Sequence, residues 1–163
     1  MNIVLLDPRQ TQAETWTISS KRQVEHLHTH LAAKVGDTLK VGVRGASRYL
    51  TEIVDISEHT ILLRPIQEEP VPAKLPVTLI VALPRPKVLR RLIMDAVTLG
   101  VEKLILIHSY RVDKSNWQSP FLQQIDHYIT LGLEQAGDTI APQFDLYTRF
   151  IPFVSFVLFI FFI

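Results

Sequence analysis

A strand, a helix and a second strand in immediate succession constrain the fold of this chain more than any other feature. They run from Val77 to Lys114, VTLIVALPRPKVLRRLIMDAVTLGVEKLILIHSYRVDK. Val77–Leu83 is a short apolar run of the kind that makes a strand buried on both faces. Pro84 stops it, and Pro86 falls where the first turn of a helix tolerates proline. Val88, Leu89, Leu92, Ile93, Ala96 and Val97 recur at helical spacing and form one apolar stripe. Gly100 follows as a residue free to take the left-handed conformation that ends a helix. Lys103–His108 supplies a second apolar run, and a strand–helix–strand connection of this length makes its strands parallel. Ligands of open α/β sheets sit beyond the carboxyl ends of the strands. Arg85 and Lys87 lie just past the first strand, and Arg111 and Lys114 just past the second. The stretch reads as the first half of an α/β domain with a basic rim.

The residues before it are β-rich. Asn2–Leu6, Thr15–Ile18, Thr38–Val43, Tyr49–Ile56 and Thr60–Pro65 read as strands, with a turn at Gly45-Ala46-Ser47. Within Arg22–Lys34, Val24, Leu27, Leu31 and Ala32 suit a short helix. Several short strands separated by turns predict a small barrel or sandwich over residues 1–66. Gln67–Pro76 holds three prolines and two glutamates, and reads as an extended connector over 67–76.

After Lys114, Ser119-Pro120 is a helix-start signature. Leu122, Ile125, Ile129, Leu133 and Ala136 make its buried stripe, Gly137 ends it, and Gln143–Tyr147 begins another strand. The second lobe is expected over 77–149. Residues 150–163 then change character: FIPFVSFVLFIFFI has no charge and holds six of the chain's eight phenylalanines. It is shorter than the roughly 20 apolar residues that span a bilayer, so no membrane role is expected of it.

Bulk composition excludes some classes. Hydrophobic residues at 47% and charged residues at 20% fit a folded protein. A net charge of +1 does not by itself point to a polyanion, so the placement of charge matters more. No cysteine is present, which excludes disulfides and thiolate metal sites and fits a cytoplasmic location.

Four segments in series carry a family resemblance: EHLHTHLAAKVGD, VALPRPKVLRRLIMDAVTLGV, SYRVDKS and LGLEQAGDTIAP. In order and rough spacing they resemble the ribosomal RNA small subunit methyltransferase E family, over about residues 1–149. The resemblance implies an α/β protein with an N-terminal PUA-like β-barrel followed by a knotted SPOUT methyltransferase domain. It implies methylation of N3 of a uridine in small-subunit (16S) ribosomal RNA, with S-adenosyl-L-methionine as cofactor. N3 lies on the Watson–Crick edge, so the base must be unpaired or splayed out to be reached. The family's glycine-rich cofactor loop and its knot have no counterpart here; only six glycines exist, none clustered. The expectation is therefore a C-terminally truncated member whose 150–163 tail is aberrant. Such a chain would carry the RNA-binding lobe and the N-terminal half of the SPOUT domain, would not bind the cofactor, and has no identifiable catalytic residue. The alternative is a non-catalytic RNA-binding remnant. The full-length family implies a homodimer.

Individual residues divide between functional and structural readings. Arg85, Lys87, Arg90 and Arg91 crowd a helix start, where cations oppose the macrodipole. Phosphate neutralisation would offset that placement, but a solvated helix face explains it equally. For Arg111 and Lys114 a contact to RNA phosphate is preferred over a structural salt bridge. Trp117 reads as a core or interface anchor rather than a base-stacking platform. His26, His28 and His30 alternate, yet no carboxylate motif or cysteine accompanies them, so no metal is expected. A weak RNA contact is expected of His26 and Arg22. Glu134 and Gln135 match an EQ pair of the family, and a hydrogen-bonding role that orders the neighbouring loop is preferred over a catalytic one.

Overall fold

The computed structural model describes residues 2–109, 112 and 118–148. The chain divides into two compact units, one of residues 1–72 and 133–141, the other of 73–132 and 142–163. The expected tail at 150–163 lies outside the described residues.

The first unit is built on a five-stranded sheet. Its strands are β1 (Val4–Leu6), β2 (Trp16–Ile18), β3 (Thr38–Val43), β4 (Arg48–Ile56) and β5 (Ile61–Glu69), in the order β1-β3-β4-β5-β2. β1 runs parallel to β3, and the other pairings are antiparallel. Alternation decides which side chains turn inward: Val4 and Leu6, Val41 and Val43, Ile61 and Leu63 all lie in one core with Trp16, Ile18 and Ile53. The Trp16 and Tyr49 rings meet edge to face at 4.8 Å, a favoured aromatic geometry. Helix α1 (Lys21–Thr29) closes on this core with Val24 and Leu27.

Boundaries that differ from the sequence expectation include the end of α1 and both ends of the connector, inside which β6 already begins at Leu75. α1 ends at Thr29, not in the region of Lys34. The backbone turns through Ala32 in the left-handed region (φ 45°), and Ala33 N donates to Leu27 O at 3.1 Å. This turn brings Ala33 against the core and leaves Leu31 54% exposed. Strand β5 passes through Pro65 and takes in Gln67–Glu69, which composition alone assigns to the connector. Proline lacks the N–H that a central strand needs. β2 covers only Ile61–Leu63, so at Pro65 that side of β5 is an edge. On the other side a bulge sits between the Leu50–Gln67 and Thr51–Pro65 pairs.

The second unit holds three parallel strands in the order β6-β7-β8: β6 (Leu75–Ala82), β7 (Val101–Ile107) and β8 (Gln143–Tyr147). Helix α2 (Pro86–Thr98) connects β6 to β7 and buries Leu89, Ile93, Ala96 and Val97. Gly100, at φ 77°, turns the chain from α2 into β7. The central strand β7 is the buried one, with Leu104, Ile105 and Leu106 at 0–1% exposure. β6 is not buried on both faces as its apolar run predicts. It forms an edge, and Leu75, Val77 and Ile80 are exposed; a continuous apolar run reports the demand for cover, not whether these residues supply it. Val88 likewise leaves the buried stripe of α2 and is exposed. Helix α3 (Ile125–Ala136) follows a 3-10 turn at Pro120–Gln124, whose start Ser119 caps by accepting from Phe121 N at 3.3 Å. Gly132 of α3 approaches α2 closely: a Cβ there would lie 2.7 Å from Val97 Cβ. Among the described residues no helix is long and apolar enough to cross a membrane.

Candidate nucleic-acid interface

In the second unit the parallel register carries all three strand ends to one edge. Leu83 N donates to Ile107 O at 3.0 Å, and His108 N to Tyr147 O at 2.9 Å, continuing the ladder past the strands. Arg85 stands beyond β6 as the N-cap of α2, with no side-chain cap bond and no acidic residue in the first turn. The helix therefore begins with uncompensated amide dipoles beside cationic side chains. Its solvent face carries Lys87, Arg90 and Arg91, all exposed. These three line an open depression of about 610 Å³ together with Met94, Asp95 and Phe121.

Aromatic groups border the same depression. The Pro120–Gln124 turn holds Phe121, whose ring stacks on Tyr128 of α3 at 5.7 Å and 27°. The Arg90 guanidinium lies 5.8 Å from the centre of the Tyr128 ring, within cation–π reach. Tyr128 is anchored by donating its hydroxyl hydrogen to Gln124 Oε1 at 2.7 Å. Three exposed cations with an adjacent half-buried ring suit a phosphate backbone carrying an unstacked base. Sequence reasoning finds the cations but not Phe121, whose apolar helix-start setting gives no signal of its neighbours. Arg111, Lys114 and Trp117 lie outside the described residues.

In the first unit, Arg22 and His26 share a face of α1. Lys21, Arg22, Glu25, His26, Thr29 and His30 line a depression of about 550 Å³. The His26 and His30 rings are 5.0 Å apart. His28 is on another face, its Nε2 3.0 Å from Ser57 O. The three histidines thus do not converge, and among the described residues no cluster of three His, Asp or Glu side chains is arranged to hold a metal. The His26 imidazole is held below its usual pKa, chiefly by burial, then by His30, the amino terminus and Arg22, against an opposing pull from Glu134.

Glu134 is 2% exposed and fully engaged. Its carboxylate oxygens both accept from Arg22 Nη2 at 2.8 Å. Oε1 also accepts from Gln23 Nε2 at 2.8 Å, and Gln23 Nε2 donates to Leu5 O at 2.9 Å as well. The backbone carbonyl of Glu134 accepts from the amides of Asn2 and Ile3. At Gln135 the carbonyl accepts from Asn2 Nδ2 at 2.6 Å, while its side chain is exposed. Segment 133–141 is thereby tied to the first unit. Arg48 reinforces this by donating to Gly137 O at 2.9 Å, and Gly45 N donates to Thr139 O at 2.9 Å. Nothing local in the sequence links Glu134 to Gln23, since 111 residues separate them.

Among the described residues, no cluster of glycines offers a backbone cradle for S-adenosyl-L-methionine. A cofactor loop needs glycines whose backbone a ligand can approach. Here Gly42 and Gly132 are filled by neighbouring side chains, and Gly36, Gly45, Gly100 and Gly137 serve turns at positive φ.

A model of the RNA methyltransferase domain matches residues 71–157. No curated protein sequence matches the chain significantly. Among solved structures, it is similar to a probable rRNA-methyltransferase from Porphyromonas gingivalis, with a TM-score of 0.70 at 14% identity over 89% of this chain and 60% of that one. It is similar to a predicted RNA methyltransferase from Thermotoga maritima, with a TM-score of 0.65 at 16% identity over 89% and 65% of the two chains. A third is a ribosomal RNA small subunit methyltransferase E from Neisseria gonorrhoeae bound to S-adenosyl methionine, with a TM-score of 0.64 at 15% identity over 89% and 63%. At these identities the likeness is one of fold, and the chain spans only 60–65% of the length of those structures. The sequence match covers more than half of the residues and falls on the unit that carries the basic depression: this chain belongs to the RNA methyltransferase domain family.

Proposed function

We propose that these residues supply the RNA-contacting part of a methyltransferase that uses S-adenosyl-L-methionine to modify N3 of a uridine in small-subunit ribosomal RNA. The observation that carries the RNA reading is the depression where Lys87, Arg90 and Arg91 meet Phe121 beside the strand ends of a mixed α/β unit. Phosphate contacts would position the strand, and the ring would receive a splayed base. The first unit takes the role of a PUA-like RNA-binding domain, and the second that of the N-terminal half of a SPOUT domain. Arg85 extends the same phosphate-contacting rim, and Arg111 and Lys114, which follow the second strand in the sequence, are proposed as further phosphate contacts. We place the protein in the cytoplasm, and expect homodimers where the whole family fold is present. Within this chain the cofactor loop is not recognisable, so these residues are proposed to bind RNA without binding the cofactor.

Two measurements test this. Isothermal titration with S-adenosyl-L-methionine is expected to give no measurable heat; micromolar binding would show that the cofactor site lies within these residues. Binding of a short single-stranded RNA should weaken as salt rises. Arg91→Ala should cost a few-fold in affinity and flatten the salt slope by about one phosphate contact. Salt-independent binding that ignores the substitution would remove the RNA reading of the α2 face.

A further inference from the structure

The exposed face of α1 carries a charge balance that neutral pH leaves near zero. Of the groups lining its depression, Lys21 and Arg22 are cationic, Glu25 is anionic, and Arg22 is already paired with the buried Glu134. What remains is His26 and His30, whose rings lie 5.0 Å apart on successive turns. Imidazole is the side chain whose charge ordinarily changes between about pH 5 and 8. Two rings this close repel one another when both are protonated, and an anion seated between them would cancel that repulsion.

We infer that the α1 face is a proton-gated contact for RNA phosphate, engaged when the His26–His30 pair takes up a proton. This rests on the RNA reading above and adds its regulation. The groups facing His26 agree with such a gate. His30, Arg22 and the amino terminus disfavour its charged form, whereas Glu134, from segment 133–141, favours it. Burial, the largest of these effects, acts with the first set and holds the imidazole below its usual pKa. A bound phosphate raises the proton affinity of the pair, so the complex holds more protons than the free protein. By linkage, RNA affinity must then rise as pH falls.

The test uses the full chain and a short oligouridylate, whose bases carry no group titrating in this window, at constant ionic strength. Fluorescence anisotropy should show binding tightening about tenfold between about pH 7.5 and about pH 5.5, the response to roughly one proton taken up. The double substitution His26→Gln with His30→Gln should reduce that ratio to about one to two. Arg91→Ala, in the other depression, should weaken binding at both pH values and keep the ratio. A pH dependence that survives the double substitution overturns the gate and leaves RNA binding standing. Absence of binding at every pH overturns the RNA reading and the gate with it. NMR titration of the unsubstituted chain gives a second readout: the apparent pKa of His26 should rise on adding oligouridylate, and an unchanged value refutes the proposal.

Discussion

Arg22→Ala tests the charged anchor of segment 133–141 most directly. It would leave the Glu134 carboxylate, 2% exposed, with Gln23 Nε2 as its one side-chain donor among those described above. Removing one partner of a fully buried ion pair costs about 3–5 kcal/mol, most of it the penalty of an uncompensated buried charge. Arg22 is itself 42% exposed along its side chain, so water would enter the space it leaves. That screening lowers the expected loss to about 2–3 kcal/mol. Glu134→Gln keeps the shape, removes the charge, and should cost about 1–2 kcal/mol for the lost charge-assisted bonds. The double substitution removes the charge that Arg22→Ala strands. It should therefore be more stable than Arg22→Ala alone by about 1 kcal/mol, instead of less stable as independent effects would give. Urea unfolding followed by Trp16 fluorescence in a Trp117→Phe background reports on the first unit, because Trp16 lies in its core against Tyr49. A loss below about 0.5 kcal/mol for Arg22→Ala, or strict additivity in the double variant, would refute the argument.

Other expectations are equally specific. Gly42→Ala would put its Cβ 2.6 Å from Thr139 Cγ2 and 2.8 Å from Ile3 Cδ1; the overpacking should cost about 1–3 kcal/mol in urea unfolding, and Thr139→Ser, which removes the nearer methyl and keeps the hydroxyl, should recover part of it. Gly132→Ala would meet Val97 at 2.7 Å and the Met94 carbonyl at 3.0 Å, so the second unit should lose about 1–3 kcal/mol, read as a lower midpoint in thermal unfolding by circular dichroism. The Asp7 carboxyl is held down to about 2, first by the side chain of Arg9 and then by its backbone amide. Because that pKa is depressed, the stabilisation is present above the ordinary 3.8 and is lost as pH falls through about 2; an NMR titration should show the low value and its return toward the usual carboxylate range in Arg9→Ala.

Much of the fold is legible in the amino-acid sequence. The α2 stripe, the Gly100 turn, β7 and the β3–β4 hairpin all follow from apolar period and turn residues, to within a few positions. The candidate interface is legible in part: the crowding of Lys87, Arg90 and Arg91 at a helix start is visible as a string of cations, whereas their meeting with Phe121 is not. Where local signals meet a tertiary demand, the latter prevails. Leu31 continues the helical period of α1, yet the chain leaves the helix to seat Ala33 on the core.

The type and order of elements are written in the amino-acid sequence, because backbone geometry imposes the two periods of 3.6 and 2.0 on any buried face. It also determined where cations gather. Strand order in the folded sheet sets which strand is central and which is an edge, so that the apolar run of β6 is exposed while that of β7 is buried. Only the structure joined Glu134 to Arg22 across 112 residues. Burial and pairing depend on neighbours that local periodicity does not encode, and that is why a carboxylate without local distinction became an enclosed charge of the first unit.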